Sequence, residues 1–451
     1  MFSSKWLKGI GVLGLVAAAV GCGGGSGSGS SGSTTQNPQQ TGQVFVDATD
    51  APLPSVVSFK VDIMDLQVSD GTNTYSILGG TQTVDFARLN GLRTLLDINT
   101  IPAGTYTQVI ATLANPSIDY LNVPNPQTNP PTRPTVSTLN TMSTSSPQLN
   151  LTQSQVTINL ASPLTVSSGD IIGLRFEFDI KKSVAVDGNG QITGAITPTL
   201  GLKAVTPSDA DAYIDEFDAG VVSVNASGNS FVIQGPFGHQ FTVNTNQQTE
   251  WEGNDTINNL TTDSIVEISG TLDKTSATFL ADTVAIVSQS KFWAGGLITF
   301  VEPQISTIDL TGNEKYFIHW WHDTFGSFLF NSSELIPGQH ISIAGPYSNG
   351  QVTVNRVVLR HEGHSGTLVV GQTDTSAGTF EFNSNGLAGV LFDGPVTVQV
   401  TPFTKYLGGL TSLNDLTGTT ALNLRVVGLV LKNPVNGEPI FIAHSVEQLT
   451  D

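Results

Sequence analysis

The sequence predicts an all-β protein, on three observations. Gly (47) and Pro (22) are abundant in the 451 residues, and both break helices and populate turns. Apolar residues recur in alternation, as in Val57-Ser-Phe59-Lys-Val61-Asp-Ile63 and Leu174-Arg-Phe176-Glu-Phe178-Asp-Ile180, the pattern of half-buried antiparallel strands. A set of strand-length segments then repeats every 70–76 residues after Ala210. At 39% hydrophobic the chain can fill real cores, which excludes global disorder. A formal charge of −19 argues against binding a phosphate backbone, which needs clustered Lys and Arg. With a single Cys no intramolecular disulfide forms.

The first element is an address. Lys5 and Lys8 precede a 12-residue apolar stretch, Gly9 to Val20, too short to cross a bilayer, for which roughly 20 residues are needed. Residues 1–21 therefore read as a signal peptide. Ala19-Val20-Gly21-Cys22 resembles the lipobox of bacterial lipoproteins, although the usual Leu is Ala19 here. That resemblance implies that Cys22 is the lipidated N-terminal residue of the mature chain, whose charge becomes −21 once Lys5 and Lys8 are removed. It also implies outer-membrane sorting, because Gly23 rather than Asp follows the Cys. Several acyl chains at about 0.8 kcal/mol per buried CH₂ hold firmly. Residues 22–42 form a Gly/Ser/Thr/Gln tether, a flexible coil spanning roughly 25 Å.

The second element is a domain over residues 43–206. Its alternating strands are separated by turn signals at Asp70-Gly71, Gly79-Gly80, Pro102-Ala-Gly104 and Asp187-Gly-Asn-Gly190. Between Val84 and Leu96 the apolar spacing becomes helix-like, which predicts a short helical turn across one end of a sandwich. Asn122 to Ser146, with Pro130-Pro131 and Pro134, reads as a long mobile surface loop. Phe45-Val-Asp-Ala-Thr-Asp-Ala-Pro52, Val84-Asp-Phe-Ala-Arg-Leu-Asn-Gly91 and Ile101-Pro-Ala-Gly-Thr-Tyr-Thr-Gln108, in this order, resemble a bacterial domain family of unknown function found just after lipoprotein signals. The Pro-Ala-Gly-Thr-Tyr turn is also similar to those of transthyretin-like and carbohydrate-binding-like β-sandwiches. There Gly permits the turn and Tyr anchors the next strand in the core. The resemblance implies a sandwich and supplies no catalytic residue.

The remaining elements are three repeats, expected at 215–290, 291–363 and a diverged 364–451. Gly220, Gly296 and Gly366 open them, and a later strand in each ends at Gly270, Gly345 or Gly428. Five or six short strands per unit suit a small closed barrel, which has no exposed edge. The units resemble an uncharacterised bacterial repeat domain of OB-like type. The fold expected is thus all-β, an N-terminal β-sandwich followed by three tandem small OB-like β-barrel repeats.

Candidate chemistry is sparse. Aligning the repeats on their opening Gly sets Ile318 and Trp320 where the first unit has Thr242 and Asn244. An apolar face replaces a polar one, either packing between repeats or forming a ligand platform for sugar rings. His319-x-x-His322 and His361-x-x-His364 supply four imidazoles to one unit, a metal set only if turns make them converge. Asp47 with Asp50 offers oxygen ligands for calcium, while Asp62, Asp65, Glu216, Asp218, Glu250 and Glu252 are further acids. No nucleophile elbow, phosphate-binding Gly loop with Lys, or zinc-protease motif occurs in the sequence. The leading expectation is a lipid-anchored cell-envelope protein with a non-catalytic binding or structural role. No catalytic residue and no cofactor are assigned. Its partners are the membrane, through the lipid, and a glycan or envelope protein, not nucleic acid. The alternatives are an envelope polysaccharide hydrolase and a metal-binding lipoprotein.

Overall fold

The computed structural model describes the chain from residue 40 onward, except residues 52–55, 90, 123–134, 143–146, 189–190, 208–211, 236–237, 253–254, 274–275, 277, 290–292, 302–306, 311–313, 319–323, 326–327, 330–334, 346, 349–350, 355, 386–394, 434 and 450–451. The described chain is almost entirely β, with one α-helical turn at Ile180–Ser183.

Two sheets enclose the first core. One has the order Leu200–Val205, Ile171–Asp179, Thr41–Ala51, Thr94–Pro102. The other is built on the long pair Val56–Ser69 and Gly104–Asn122. Phe59 from one sheet meets Phe178 from the other at 5.1 Å between ring centroids, and Phe86 lies 5.0 Å from Phe178. Such pairs add about 0.5–1.5 kcal/mol each beyond their buried area. Tyr106 anchors the core as its motif predicts: it is buried, and its hydroxyl donates to the Pro102 carbonyl at 2.6 Å. Gly104 is not required by its turn, since it has no positive φ and a Cβ there would touch nothing closer than 3.7 Å.

Two expectations need correction. Thr41–Ala51 pairs in parallel with Ile171–Asp179, and residues 44–48 are all buried. The sheet carries protein on both faces: Val44, Val46 and Ala48 join the sandwich core, whereas Phe45 joins the core of the first barrel. Within the expected loop at 122–146, Thr135–Asn140 is a strand paired with the end of Gly104–Asn122. Backbone pairing outweighs its turn-like composition, and 123–134 and 143–146 lie outside the described residues.

Downstream, one circuit occurs three times. In the first, Ile214–Asn225, Ser230–Gln234 and Gln240–Asn244 pair antiparallel in sequence. The third strand then pairs in parallel with the fifth, Phe279–Ser288, which returns through the fourth, Ile265–Leu272, to the first. The second circuit runs through Trp293–Val301, Thr307–Leu310, Glu314–Ile318, Gln351–Val354 with Arg356–Leu359, and His340–Ala344. The third is a closed barrel of Glu362–Asp374, Thr379–Asn385, Val396–Leu407, Pro439–Gln448 and Asn423–Lys432. The order 1-2-3-5-4 with a parallel 3–5 pair is that of a five-stranded OB-type Greek-key barrel.

The glycines of the fourth strands have a shared physical cause. Gly270 and Gly428 each sit at a register shift against the fifth strand. A Cβ would fall 2.1 Å from the Leu280 carbonyl oxygen at the first and 2.0 Å from that of Ile442 at the second. The next residue in each fifth strand accepts a threonine hydroxyl from the third-strand side: Thr249 to Ala281 at 2.8 Å, Thr404 to Ala443 at 2.7 Å. A bulge needing Gly and a hydroxyl strut beside it thus recur in both barrels.

Candidate functional site at the sandwich–barrel junction

The segment with helix-like spacing, Phe86–Leu89, is a 3₁₀ turn that buries Phe86 and Leu89 in the sandwich. With those two side chains pointing inward, Arg88 and the following Gly91–Arg93 face the barrels. Gly91 has φ +66°, and a Cβ on it would lie 2.8 Å from the backbone of Gly363 and His364 at the start of the third barrel. The Gly91 carbonyl accepts from Arg425 Nη1 at 2.6 Å. Arg93 and Asp215 exchange two bonds, Asp215 N–H to the Arg93 carbonyl and Arg93 N–H to Asp215 Oδ2, both 2.8 Å.

Ion pairs extend this junction. All six described arginines contact carboxylates, and five reach from one module to another. Arg88 joins the sandwich to Glu216 of the first barrel at 2.6 Å, and Arg93 joins it to Glu447 of the third at 3.0 Å. Arg356 and Arg360 of the second barrel reach Asp255 and Glu216 of the first. Arg425 of the third reaches Asp215 of the first at 2.8 Å. The exception, Arg175, pairs within the sandwich with Asp47, which is 0% exposed.

Three acids of the first barrel, Glu216, Asp218 and Glu267, contact the one guanidinium of Arg360. Burial alone would raise Glu216, but Arg360 and Arg88 outweigh it and hold its carboxyl well below the usual range. Glu267 goes the other way. Burial raises it, Arg360 opposes, and Glu216, Asp218 and Glu252 tip the balance well upward despite the direct contact. Glu267 is therefore the member of this cluster that holds a proton most readily.

Of the cavities beside the junction, one of about 640 Å³ lies between the sandwich and the third barrel around Arg93 and Glu447, and one of about 560 Å³ lies between the sandwich and the first and second barrels, both within the size range of small-molecule sites. Asp85, Asp97 and Asp119 line the second from the sandwich with Lys60, and Asp218, Phe241 and His340 line it from the barrels. Asp85 accepts from Ser58 Oγ at 2.6 Å and Phe59 N–H at 2.8 Å. Asp97, 2% exposed, accepts the Gly79 N–H at 2.6 Å and the Ile98 N–H at 2.8 Å and lies 2.8 Å from His239 Nδ1, and Asp119 accepts the Thr138 hydroxyl at 2.5 Å. An ionised carboxylate has about four acceptor positions, so Asp85 and Asp119 retain capacity toward the cavity.

A smaller cavity, of about 220 Å³, lies on the seam of the first and third barrels. Pro402, Phe403, Leu429, Ile442 and Ala443 form its apolar wall, His361 and His444 its back, and Glu250 and Glu252 its opposite side. The two imidazoles are 5.1 Å apart between centroids. Burial holds His361 down at about 4 and, with His361 and Lys405 beside it, His444 at about 3. His444 Nε2 lies 3.3 Å from the Tyr213 hydroxyl, which donates to Ser269.

Among the residues singled out in the sequence, His361 and His364 have separate surroundings. His361 faces His444, while His364 lies 3.4 Å from Glu362, 3.1 Å from Ser384 Oγ, and edge-on to Phe441. His319, His322 and Trp320 lie outside the described residues, as does the side chain of Ile318. No group of three or more potential metal ligands occurs among the described residues. Asp47 holds Arg175 rather than facing an ion site, and the Asp50 side chain is not described. Asp62 accepts from Thr83 and Asn115, and Asp65 from Gln67 and Ser76. Missed in the sequence were Arg360, Arg425, Asp215 and His444. Their one signal was the rarity of Arg, seven in the whole chain.

No helix among the described residues is long and apolar enough to cross a membrane. No curated protein matches the chain. Residues 41–193, which hold most of the sandwich with its Arg88–Gly91–Arg93 turn, match the family described as Domain of unknown function (DUF4382).

Proposed function

We propose that the chain is a lipid-anchored cell-envelope protein with a non-catalytic binding role, moored through Cys22 in the outer membrane and holding a hydroxyl-rich glycan in the 560 Å³ cleft. The observation that carries this reading is the pair of carboxylates Asp85 and Asp119, held by protein donors at the cleft wall beside Lys60 and Phe241. Prearranged acceptors, the cations Lys60, Arg88 and Arg360 and an aromatic surface suit sugar hydroxyls and ring faces, and a fixed site avoids ordering costs on binding. Glycoside hydrolysis would need two carboxylates roughly 5–10 Å apart across a substrate. Glu216, Asp218 and Glu267 instead converge on Arg360.

The test is retention of the full chain in detergent on an immobilised panel of envelope glycans, with Asp119→Asn and Lys60→Ala beside it. Retention of one glycan class, weakened about tenfold in each variant, supports the reading at about 1.4 kcal/mol per contact. Absence of retention, or equal retention by the variants, removes the cleft from the account. Shortening of the bound glycan favours the hydrolase alternative.

A further inference from the structure

We propose that the outer edge of the strand Gln155–Val166 pairs, antiparallel and about a two-fold axis at Thr157, with the same strand of a second copy of this chain. This surface shares no residue with the glycan cleft and does not depend on it. Among the described residues, Gln155–Val166 is paired on one side only, with Gly104–Asn122. Its other side presents a row of backbone N–H and C=O groups, a template for one more strand. Natural edges are blunted by charge, brevity, Pro or a bulge. This strand has 12 residues and no charged side chain. Pro163 and a register shift interrupt it only after Asn159, so Gln155–Asn159 is a regular, unguarded ladder against Thr112–Gln108.

The side chains identify a copy as the occupant. Val156 and Ile158 lie opposite Ala111 and Val109, both 0% exposed, yet are only half-buried themselves, because no described strand flanks them on the outer side. Gln155, Thr157 and Asn159 alternate with them on the exposed face. A two-fold axis at Thr157, the midpoint of the regular ladder, sets Val156 against Ile158 of the partner subunit and Gln155 against Asn159 of the partner subunit. Thr157 then meets its own copy. Apolar faces apolar and polar faces polar, the pairs that stabilise a sheet, whereas a slip of one residue sets apolar against polar. The pairing brings no charges together, while a formal charge of −19 opposes association through charged surfaces. Because both chains spend the same edge, assembly closes at the dimer.

The experiment is analytical ultracentrifugation of the full chain in a density-matched detergent at pH 7.5, with micelles in excess, over about 1–100 μM protein. The wild type is expected to pass from monomer to dimer and to stop there. Gln155→Lys/Asn159→Lys puts like charges directly opposite in two pairs and is expected to weaken dimerisation about tenfold, or about 1.4 kcal/mol. Gln155→Lys/Asn159→Glu sets opposite charges there and is expected to dimerise at least as tightly as the wild type. Both variants change the same exposed positions and keep the lipid, so neither folding nor sharing of a micelle separates them. Thr157→Cys is expected to give a disulfide-linked dimer on oxidation, and Asn159→Cys, about 14 Å from its copy, is not. A chain that stays monomeric over this range, or grows beyond the dimer, overturns the proposal. So does equal dimerisation of the two charge variants, or equal cross-linking of the two cysteine variants.

Discussion

Lowering the pH from 7.5 to 5 loads the junction through His361 and His444. Their surroundings hold these imidazoles at about 4 and about 3, against an ordinary 6.5. The folded state therefore binds fewer protons than the unfolded one. Stability from this source is complete above pH 7 and is lost as pH falls below 6.5, until the folded rings protonate near 4 and 3. At pH 5 each histidine contributes a loss of about 1.36 × 1.5, or about 2 kcal/mol, and the pair about 4 kcal/mol. The groups facing them are Glu216, Arg88 and Arg360 around His361, and Lys405, Asp215 and Asp282 around His444. Asp47, Asp218 and Glu267, whose carboxyls burial raises, act in the opposite sense as pH falls. A comparison with His361→Gln/His444→Gln cancels their contribution, because both proteins retain them. Urea unfolding at 0.5-unit pH steps from 7.5 to 5 measures the difference. The wild type is expected to lose about 4 kcal/mol more than the double variant between pH 7.5 and 5. Profiles that stay parallel within about 0.5 kcal/mol would refute the assignment of two buried, neutral imidazoles to the seam.

Three other perturbations have clear expected outcomes. Arg425→Ala leaves the buried Asp215 without its guanidinium and is expected to cost about 3–5 kcal/mol in urea unfolding at pH 7, whereas a surface pair would cost under about 1 kcal/mol. Gly428→Ala sets a methyl 2.0 Å from the Ile442 carbonyl oxygen, so a loss above about 2 kcal/mol is expected in the same assay, against a few tenths for Gly418→Ala, where nothing lies within 4 Å. Cys22→Ser is expected to shift the chain from the membrane to the soluble fraction of fractionated cells and to abolish incorporation of labelled fatty acid; continued labelling would remove the lipid anchor.

The periodic features of this fold were legible because they are local. Alternation placed Phe59, Val61, Phe176 and Phe178 in one core, and the 70–76 residue period found the glycines of the fourth strands. Those glycines were visible for a physical reason: a Cβ would fall 2.1 and 2.0 Å from a carbonyl oxygen of the facing strand, which leaves no room for another residue at Gly270 and Gly428. The helix-like spacing around Phe86 was legible too, and the turn it marks carries the junction. What the turn meets was not legible. Arg88 and Glu216 are 128 residues apart, and Arg93 and Glu447 are 354 apart. No local pattern encodes which distant carboxylate closes a pair. His361 and His364 are close in sequence, yet the ring neighbour of His361 is His444, from the fifth strand of the third barrel. Parallel pairing of Thr41–Ala51 was obscured in the same way, since burial of its second face depends on the first barrel.

Differential scanning calorimetry of the full chain at pH 7.5 tests most directly whether arginine–carboxylate seams join the sandwich and barrels into one cooperative body. A single transition is expected, with calorimetric and van't Hoff enthalpies agreeing to within about 20%, splitting into two or more in the Arg360→Ala/Arg425→Ala variant. Separate transitions already present in the wild type, unmoved by that double substitution, would contradict the account.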